Sequence, residues 1–133
     1  MEWINEYQHG IIWQDFQHKQ LVDKMNELLN SIISGHDKEA FFETVRFIKE
    51  YSYNHFKTEE LYMKNWGYPK FEEHLKEHRG FITDFNDHIS KCIYHETESA
   101  GELINKLTQW FFNHTQTTDR DLAKFLLNKG VRS

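Results

Sequence analysis

Large apolar residues recur along this chain at spacings of three and four, and turn-forming residues interrupt the pattern three times. The first periodic stretch runs from about residue 16 to 34, with His18, Leu21, Met25, Leu28 and Ile32 on one helical face. The second, from about 38 to 65, carries Phe41, Val45, Ile48, Ser52, His55, Glu59 and Tyr62 on its seam. The third, from about 69 to 94, carries Phe71, His74, His78, Phe81, Phe85, Ile89 and Cys92. The fourth, from about 99 to 128, carries Leu103, Leu107, Trp110, His114, Leu122 and Phe125. Asp15, Asp37 and Ser99 stand at N-cap positions, and Glu102 completes a capping box with Ser99. Gly35 and the Gly67-Tyr68-Pro69 break stand where helices stop and start. Residues 1–16 show no clean period but hold Trp3, Ile4, Tyr7, Ile11, Ile12 and Trp13, too apolar for a solvated tail. They predict an arm packed over one side of the bundle, bent at Gly10. Four helices with short connections predict an all-α fold, an antiparallel up-down-up-down four-helix bundle with an extended N-terminal arm, forming one domain over residues 1–133.

The seams turn polar where a core should continue. His55 and Glu59, then His74 and His78, lie four apart on consecutive helices joined by a tight turn. Residues four apart on a helix share a face, so both pairs point into one space. His18 and His114 lie on the other two seams, and Asp119 follows His114 by five residues. A regular helix would turn Asp119 about 140° away from His114, at roughly 100° per residue. A π-bulge between them would bring both to one face, and such bulges favour functional sites.

Composition narrows the chemistry. Nine of the 133 residues are His and one, Cys92, is Cys, so any metal must be held by imidazole and carboxylate. Such donors suit iron, zinc, copper or nickel. Five imidazoles and two carboxylates are too many for one zinc ion and suit two metals. Charges of both signs are interspersed at a net −5, which disfavours a nucleic-acid groove or a polybasic membrane patch. No apolar run approaches the roughly 20 residues that span a bilayer, and the N-terminus lacks a signal-peptide pattern. The expectation is a cytoplasmic protein with neither membrane nor nucleic-acid partner, and a monomer. His36, His88 and His95, in a turn or near helix ends, read as solvated histidines, and Cys92 as a small core residue.

The ordered motifs resemble a known family. Trp3 with Gly10-Ile11, Gln17-His18-Lys19, His55-Phe-Lys-Thr-Glu-Glu60, Gly67-Tyr-Pro69 followed by His74 and His78, and Trp110 with His114 and Asp119 match, in sequence and spacing, a hemerythrin of the single-domain bacterial type. The resemblance covers nearly the whole chain. It implies a non-haem di-iron centre that binds O2 reversibly, in a carrier, store or sensor and not an enzyme. By position, His74, His78 and His114 would hold one iron and His18 and His55 the other. Glu59, Asp119 and an oxo or hydroxo group would bridge them. Leu21, Phe56 and Trp110 match pocket positions for O2. An oxygen-using enzyme or a reductase would be the natural protein partner. The rival readings are a di-iron oxidase, a peroxide- or NO-handling enzyme, or an iron- or redox-sensing module. Two residues depart from the family pattern. Thr115 stands where Ile is usual, and in the pocket its hydroxyl would meet O2 or admit water. His9 stands where a small apolar residue is usual, and reads as a surface histidine.

Overall fold

The computed structural model describes residues 7–34, 38–93 and 99–132. Helix α1 spans Ile12–Ser34, α2 Lys38–Trp66 and α3 Phe71–Ile93. The fourth helix of the bundle has three parts: α4 over Ala100–Asn113, a π-helical segment over His114–Asp119, and α5 over Arg120–Asn128. Each helix packs against the next, and α4 returns to α1 to close the ring, as four antiparallel helices require.

The ends of these helices follow local chemistry, with one exception. Ser99 Oγ accepts the Glu102 N–H at 3.1 Å, satisfying a donor that the first turn of α4 leaves free. Gly67, at φ +67°, closes α2, and the Tyr68 N–H reaches back to the Met63 carbonyl at 2.9 Å. That left-handed closure favours Gly and redirects the chain into α3 within four residues. The exception is α1, which begins at Ile12, four residues before the expected start. Its first N–H donates to the Arg132 carbonyl at 2.7 Å, so the other end of the chain sets the boundary. Asp15 therefore lies inside the first turn and is not the N-cap. Its carboxylate instead accepts the N–H groups of His9 and Gly10 at 2.8 and 3.1 Å, fastening the arm to the helix. Gly10 takes φ +93°, the expected bend, with the Leu127 side chain close behind it. Residues 8–11 are the described, non-helical part of the arm. Trp3, Ile4, Gly35, His36, Asp37 and His95 lie outside the described residues.

Two apolar clusters form along the bundle. One gathers Leu21, Met25, Leu28, Val45, Ile48, Phe56, Phe81, Phe85, Leu103, Leu107 and Phe111, with Cys92 half-buried against it. The other gathers Ile11, Met63, Tyr68, Leu122, Leu126 and Val131. His18 falls between Ile11 and Leu21, His55 and Glu59 between Ile48 and Met63, His74 and His78 between Tyr68 and Phe81, and His114 and Asp119 between Phe111 and Leu122, one flanking residue from each cluster every time. The bundle thus sandwiches one polar layer between two dry ones, and that layer is the site.

Candidate metal centre

All seven residues expected to ligate metal are buried in that layer, none more than 3 % exposed. Ionisable groups are seldom buried this completely unless paired or bound to metal. Their donor atoms form two groups. Glu59, His74, His78, His114 and Asp119 make one; His18, His55, Glu59 and Asp119 make the other, with donors in each group within 4.8 Å of one another. The two carboxylates are common to both.

The π-helical segment makes this grouping possible. An i→i+5 turn places residues five apart on one face, so His114 Nε2 and Asp119 Oδ1 stand 2.9 Å apart. Asp119 also reaches His18 Nε2 at 2.9 Å and His74 Nε2 at 3.0 Å. Glu59 Oε1 lies 3.1 Å from His78 Nε2, 3.5 Å from His55 Nε2 and 3.6 Å from His74 Nε2. Several of these contacts are close without being aligned as hydrogen bonds. His55 Nε2, His74 Nε2, Glu59 Oε1 and Asp119 Oδ1 have no hydrogen-bond partner among the described residues. Buried polar atoms this close that do not bond one another are aimed at shared points between them. Imidazole and carboxylate donors so arranged fit first-row transition metals.

The outer nitrogens of the imidazoles follow a rule of their own. His55 Nδ1–H donates to Gln17 Oε1, His78 Nδ1–H to Glu60 Oε2 at 3.0 Å, and His114 Nδ1–H to Glu77 Oε1 at 2.9 Å. Each acceptor is the sequence neighbour of a ligand-type residue on one helix and serves a histidine on the next. Thr118 Oγ donates to Glu77 at 2.9 Å and holds that carboxylate in place. Such partners fix the tautomer so that Nε2 faces inward, and they raise its basicity. The sequence reading missed Gln17, Glu60 and Glu77, although adjacency to a ligand was the available signal. It also missed Gln14, fully buried, whose amide donates to Glu59 Oε2 at 3.0 Å and to the Asp119 carbonyl at 3.2 Å. Gln14 stands between Trp13 and Asp15 and adjoins none of the seven, so adjacency could not find it.

Aromatic rings brace the layer. Phe56 stacks on His78 at 4.0 Å between centroids, and Trp110 stacks on His114 at 4.4 Å. Beside the polar layer lies a cavity of about 10 Å³, enough for about one water-sized molecule. Leu21, Phe56, Trp110 and Thr115 all line it, together with Met25, Ile48, Phe81, Phe111, His55 and Asp119. The Thr115 side chain is buried, and its hydroxyl has no hydrogen-bond partner among the described residues. His9 is not the surface residue expected: it is half-buried, and its Nδ1 bonds Gln14 Oε1 at 2.9 Å. His88 is half-buried on α3 and takes no part in the layer.

Without metal the layer is a set of mutually dependent charges. Burial pushes the Glu59 carboxyl up, and Asp119 adds to that, but His55, His74 and His78 outweigh both and hold it well below the carboxylate range. Asp119 is likewise raised by burial and lowered further by His114, His18 and His55, ending well below its ordinary value. Burial lowers His74, yet Asp119 and Glu59 raise it to about 10. His114, lowered by burial and raised by Asp119 and Glu77, reaches about 9. Raised histidines stabilise the fold fully below their unfolded value near pH 6.5 and stop doing so as pH climbs through 9 to 10. The depressed carboxylates contribute above about pH 4 and lose their contribution as pH falls through their folded values. The urea midpoint of metal-free protein should therefore peak between about pH 5 and 6.5 and decline toward pH 10. Metal-loaded protein should lack the alkaline decline, since the metal takes the place of those protons. A metal-free midpoint that stays level from pH 6 to 10 would contradict this charge balance.

No helix among the described residues is long and apolar enough to cross a membrane. Comparison with known proteins agrees with the geometry. Residues 9–126 match the family described as hemerythrin HHE cation binding domain. A bacteriohemerythrin of Pseudomonas paraeruginosa is 31% identical over 118 residues, covering 88% of this chain and 75% of its own. One from Clostridium acetobutylicum is 28% identical over 123 residues, covering 90% and 95%. A crystal structure of a leucine-to-phenylalanine mutant, 27% identical, superposes with a TM-score of 0.85 over 95% of this chain and 96% of the other. With the match spanning the arm's His9 to Leu126 of α5, and so every residue of the polar layer, the chain belongs to the hemerythrin family of HHE cation-binding domains.

Proposed function

We propose that this protein binds O2 reversibly at a di-iron centre. His74, His78 and His114 would hold one iron and His18 and His55 the other, with Glu59 and Asp119 offering oxygens to both. The observation that carries this reading is the sharing of both carboxylates by a three-histidine and a two-histidine group. The two-histidine group has four protein donors and the other five, so an ion held there would have room for a small molecule as well. A bound ferrous pair would supply the electrons that O2 takes up on binding and returns on release.

The chain's own residues do the rest. Five imidazoles and two carboxylates spread ligation over neutral and singly charged donors, a set poorer in carboxylate than ferritin-like di-iron sites. That favours holding O2 over activating it. Leu21, Phe56 and Trp110 wall the cavity with apolar surface and keep it dry, so a charged oxygen species has no hydration path outward. Gln17, Glu60 and Glu77 keep the ligating nitrogens inward throughout a cycle. The names of the bacterial relatives, bacteriohemerythrins, support the same reading.

The test is an optical one on anaerobically reduced protein with iron counted beforehand. Two irons per chain and a visible band that appears under O2 and vanishes under argon, through repeated cycles, is the expected result. A single oxidation that argon does not reverse, accompanied by turnover of an added reductant, would replace the carrier with an oxidase.

A further inference from the structure

Three of the five layer histidines have a carboxylate or amide oxygen on their outer nitrogen, whereas His18 Nδ1 and His74 Nδ1 have no partner among the described residues. Beside His18, and belonging to the arm, stands His9. The two rings meet edge to face with centroids 5.5 Å apart. A donor atom of each, with an Asp15 oxygen, lies within a 4.8 Å group. His9 Nε2 is itself buried without a partner among the described residues.

The protonation of His9 follows from its neighbour. One end of the Gln14 amide faces two oxygens, Glu59 Oε2 at 3.0 Å and the Asp119 carbonyl at 3.2 Å, so that end is the NH2. The other end is then the oxygen, and it takes a proton from His9 Nδ1 at 2.9 Å. A neutral His9 with its proton on Nδ1 has a bare lone pair on Nε2. His18, ligating through Nε2, keeps its proton on Nδ1. One orphan is an acceptor and the other a donor, and they are neighbours.

We propose that His9 is a positioning residue for His18, its Nε2 accepting the Nδ1–H hydrogen bond of the metal-ligating His18. The assignment rests on the di-iron reading above. Asp15 accepts the N–H groups of His9 and Gly10 and so fastens the arm with the His9 ring beside that of His18. Gln14 then joins the two ends of a short circuit: His18 is held by His9, His9 by Gln14, and Gln14 by Glu59, so a terminal ligand and a shared carboxylate of the two-histidine iron are tied to one arm. The same three residues do not make a separate cation site while His18 ligates, because its Nδ1 then carries a proton and cannot bind metal. An acceptor on the outer nitrogen makes His18 a stronger donor, tightening the metal and favouring its ferric form.

The experiment uses the full chain loaded with iron, and compares wild type with His9→Ala, His9→Phe and His9→Gln. Iron per chain, iron release to excess chelator and the midpoint potential are measured, with the melting temperature of the metal-free forms. His9→Phe keeps a ring in place and removes both nitrogens. Release should quicken about tenfold in His9→Ala and His9→Phe, the lower end of what losing such a partner costs in metal affinity. The potential should move positive in both, and the metal-free His9→Phe should melt only modestly below wild type, by what the unpaired Gln14 oxygen alone costs. His9→Gln, which restores one donor and one acceptor, should return release and potential toward wild type. Wild type holding two irons and His9→Phe releasing them at the wild-type rate would overturn the role of His9 alone. Three metal ions in wild type, one of them lost in His9→Ala, would overturn it in favour of a cation site. Wild type that retains no iron overturns this role and the di-iron reading together.

Discussion

Asp119→Asn should empty the metal centre, taking iron from the proposed two per chain to below one while the helical content stays. The amide has nearly the shape of the carboxylate it replaces, so packing is not the issue. Asp119 is fully buried and stands within 3.0 Å of His18, His74 and His114, and it belongs to both donor groups. The substitution removes the charge and puts an NH2 where a lone pair was needed, so both donor groups lose a member at once. Metal-free protein should suffer as well. His74 and His114, raised to about 10 and about 9 chiefly against the cost of burial by this carboxylate, would lose their counter-charge. Removing one partner from a buried charge set costs about 3–5 kcal/mol, and the loss should appear at pH 6 and shrink toward pH 10. Asp121, half-exposed and 3.7 Å from Lys70, supplies the control, since Asp121→Asn should move stability by no more than about 0.5 kcal/mol. Metal analysis and urea unfolding on the two variants decide the matter. Full retention of two metals by Asp119→Asn would remove Asp119 from the ligand set.

Thr115→Ile should slow oxidation of the reduced, oxygenated protein by up to about tenfold. Thr115 lines the cavity, and its hydroxyl is buried without a partner among the described residues, so it can bond a small polar molecule that enters. Water or a proton donor beside O2 promotes its loss as a reduced species and leaves the oxidised, non-binding centre behind. One hydrogen bond contributes about 0.5–1.5 kcal/mol, and 1.4 kcal/mol is a factor of ten in rate, which sets the size of the effect. Isoleucine is larger and apolar, and it would both remove the donor and shrink a cavity already as small as about 10 Å³. The decay of the oxygenated spectrum in air-saturated buffer, followed for both proteins, is the measurement. Equal decay rates would mean that the hydroxyl does not reach the cavity's occupant. Thr115→Val separates the two causes, since it keeps the shape and removes only the hydroxyl.

Much of this site was readable in advance because its residues violate the pattern they sit in. A helix seam is an apolar stripe, and His55, Glu59, His74, His78 and His114 each break one at a core position. The π-helical segment was readable for a related reason. His114 and Asp119 are five apart, and a regular α-helix would not bring both to one face, so the local geometry had to differ. Residues one step further out were not readable. Gln17, Glu60 and Glu77 look like solvated polar residues of amphipathic helices, and only the neighbouring helix shows what each one bonds. Gln14 and His9 lay in a stretch without period, where no face could be assigned.

The start of α1 shows where local signals end. Asp15 has the chemistry of an N-cap, and nothing nearby in the chain argues otherwise. The helix nevertheless begins at Ile12, because Arg132 offers its carbonyl to the Ile12 N–H across the bundle and Ile11 is buried against Met63, Leu122 and Leu126. Those gains come from residues far along the chain, on α2 and beyond α4, and no local propensity carries them.

By itself, then, the amino-acid sequence determined the four helices, the polar layer and the donor types in it, because hydrophobic period and the cost of a buried ionisable group are properties of residues a few positions apart. Only the tertiary structure decided which outer nitrogen meets which acceptor, that Gln14 is buried against Glu59, and that His9 faces His18. Those are contacts between helices, set by packing angle and rotation, and a single helix does not contain them.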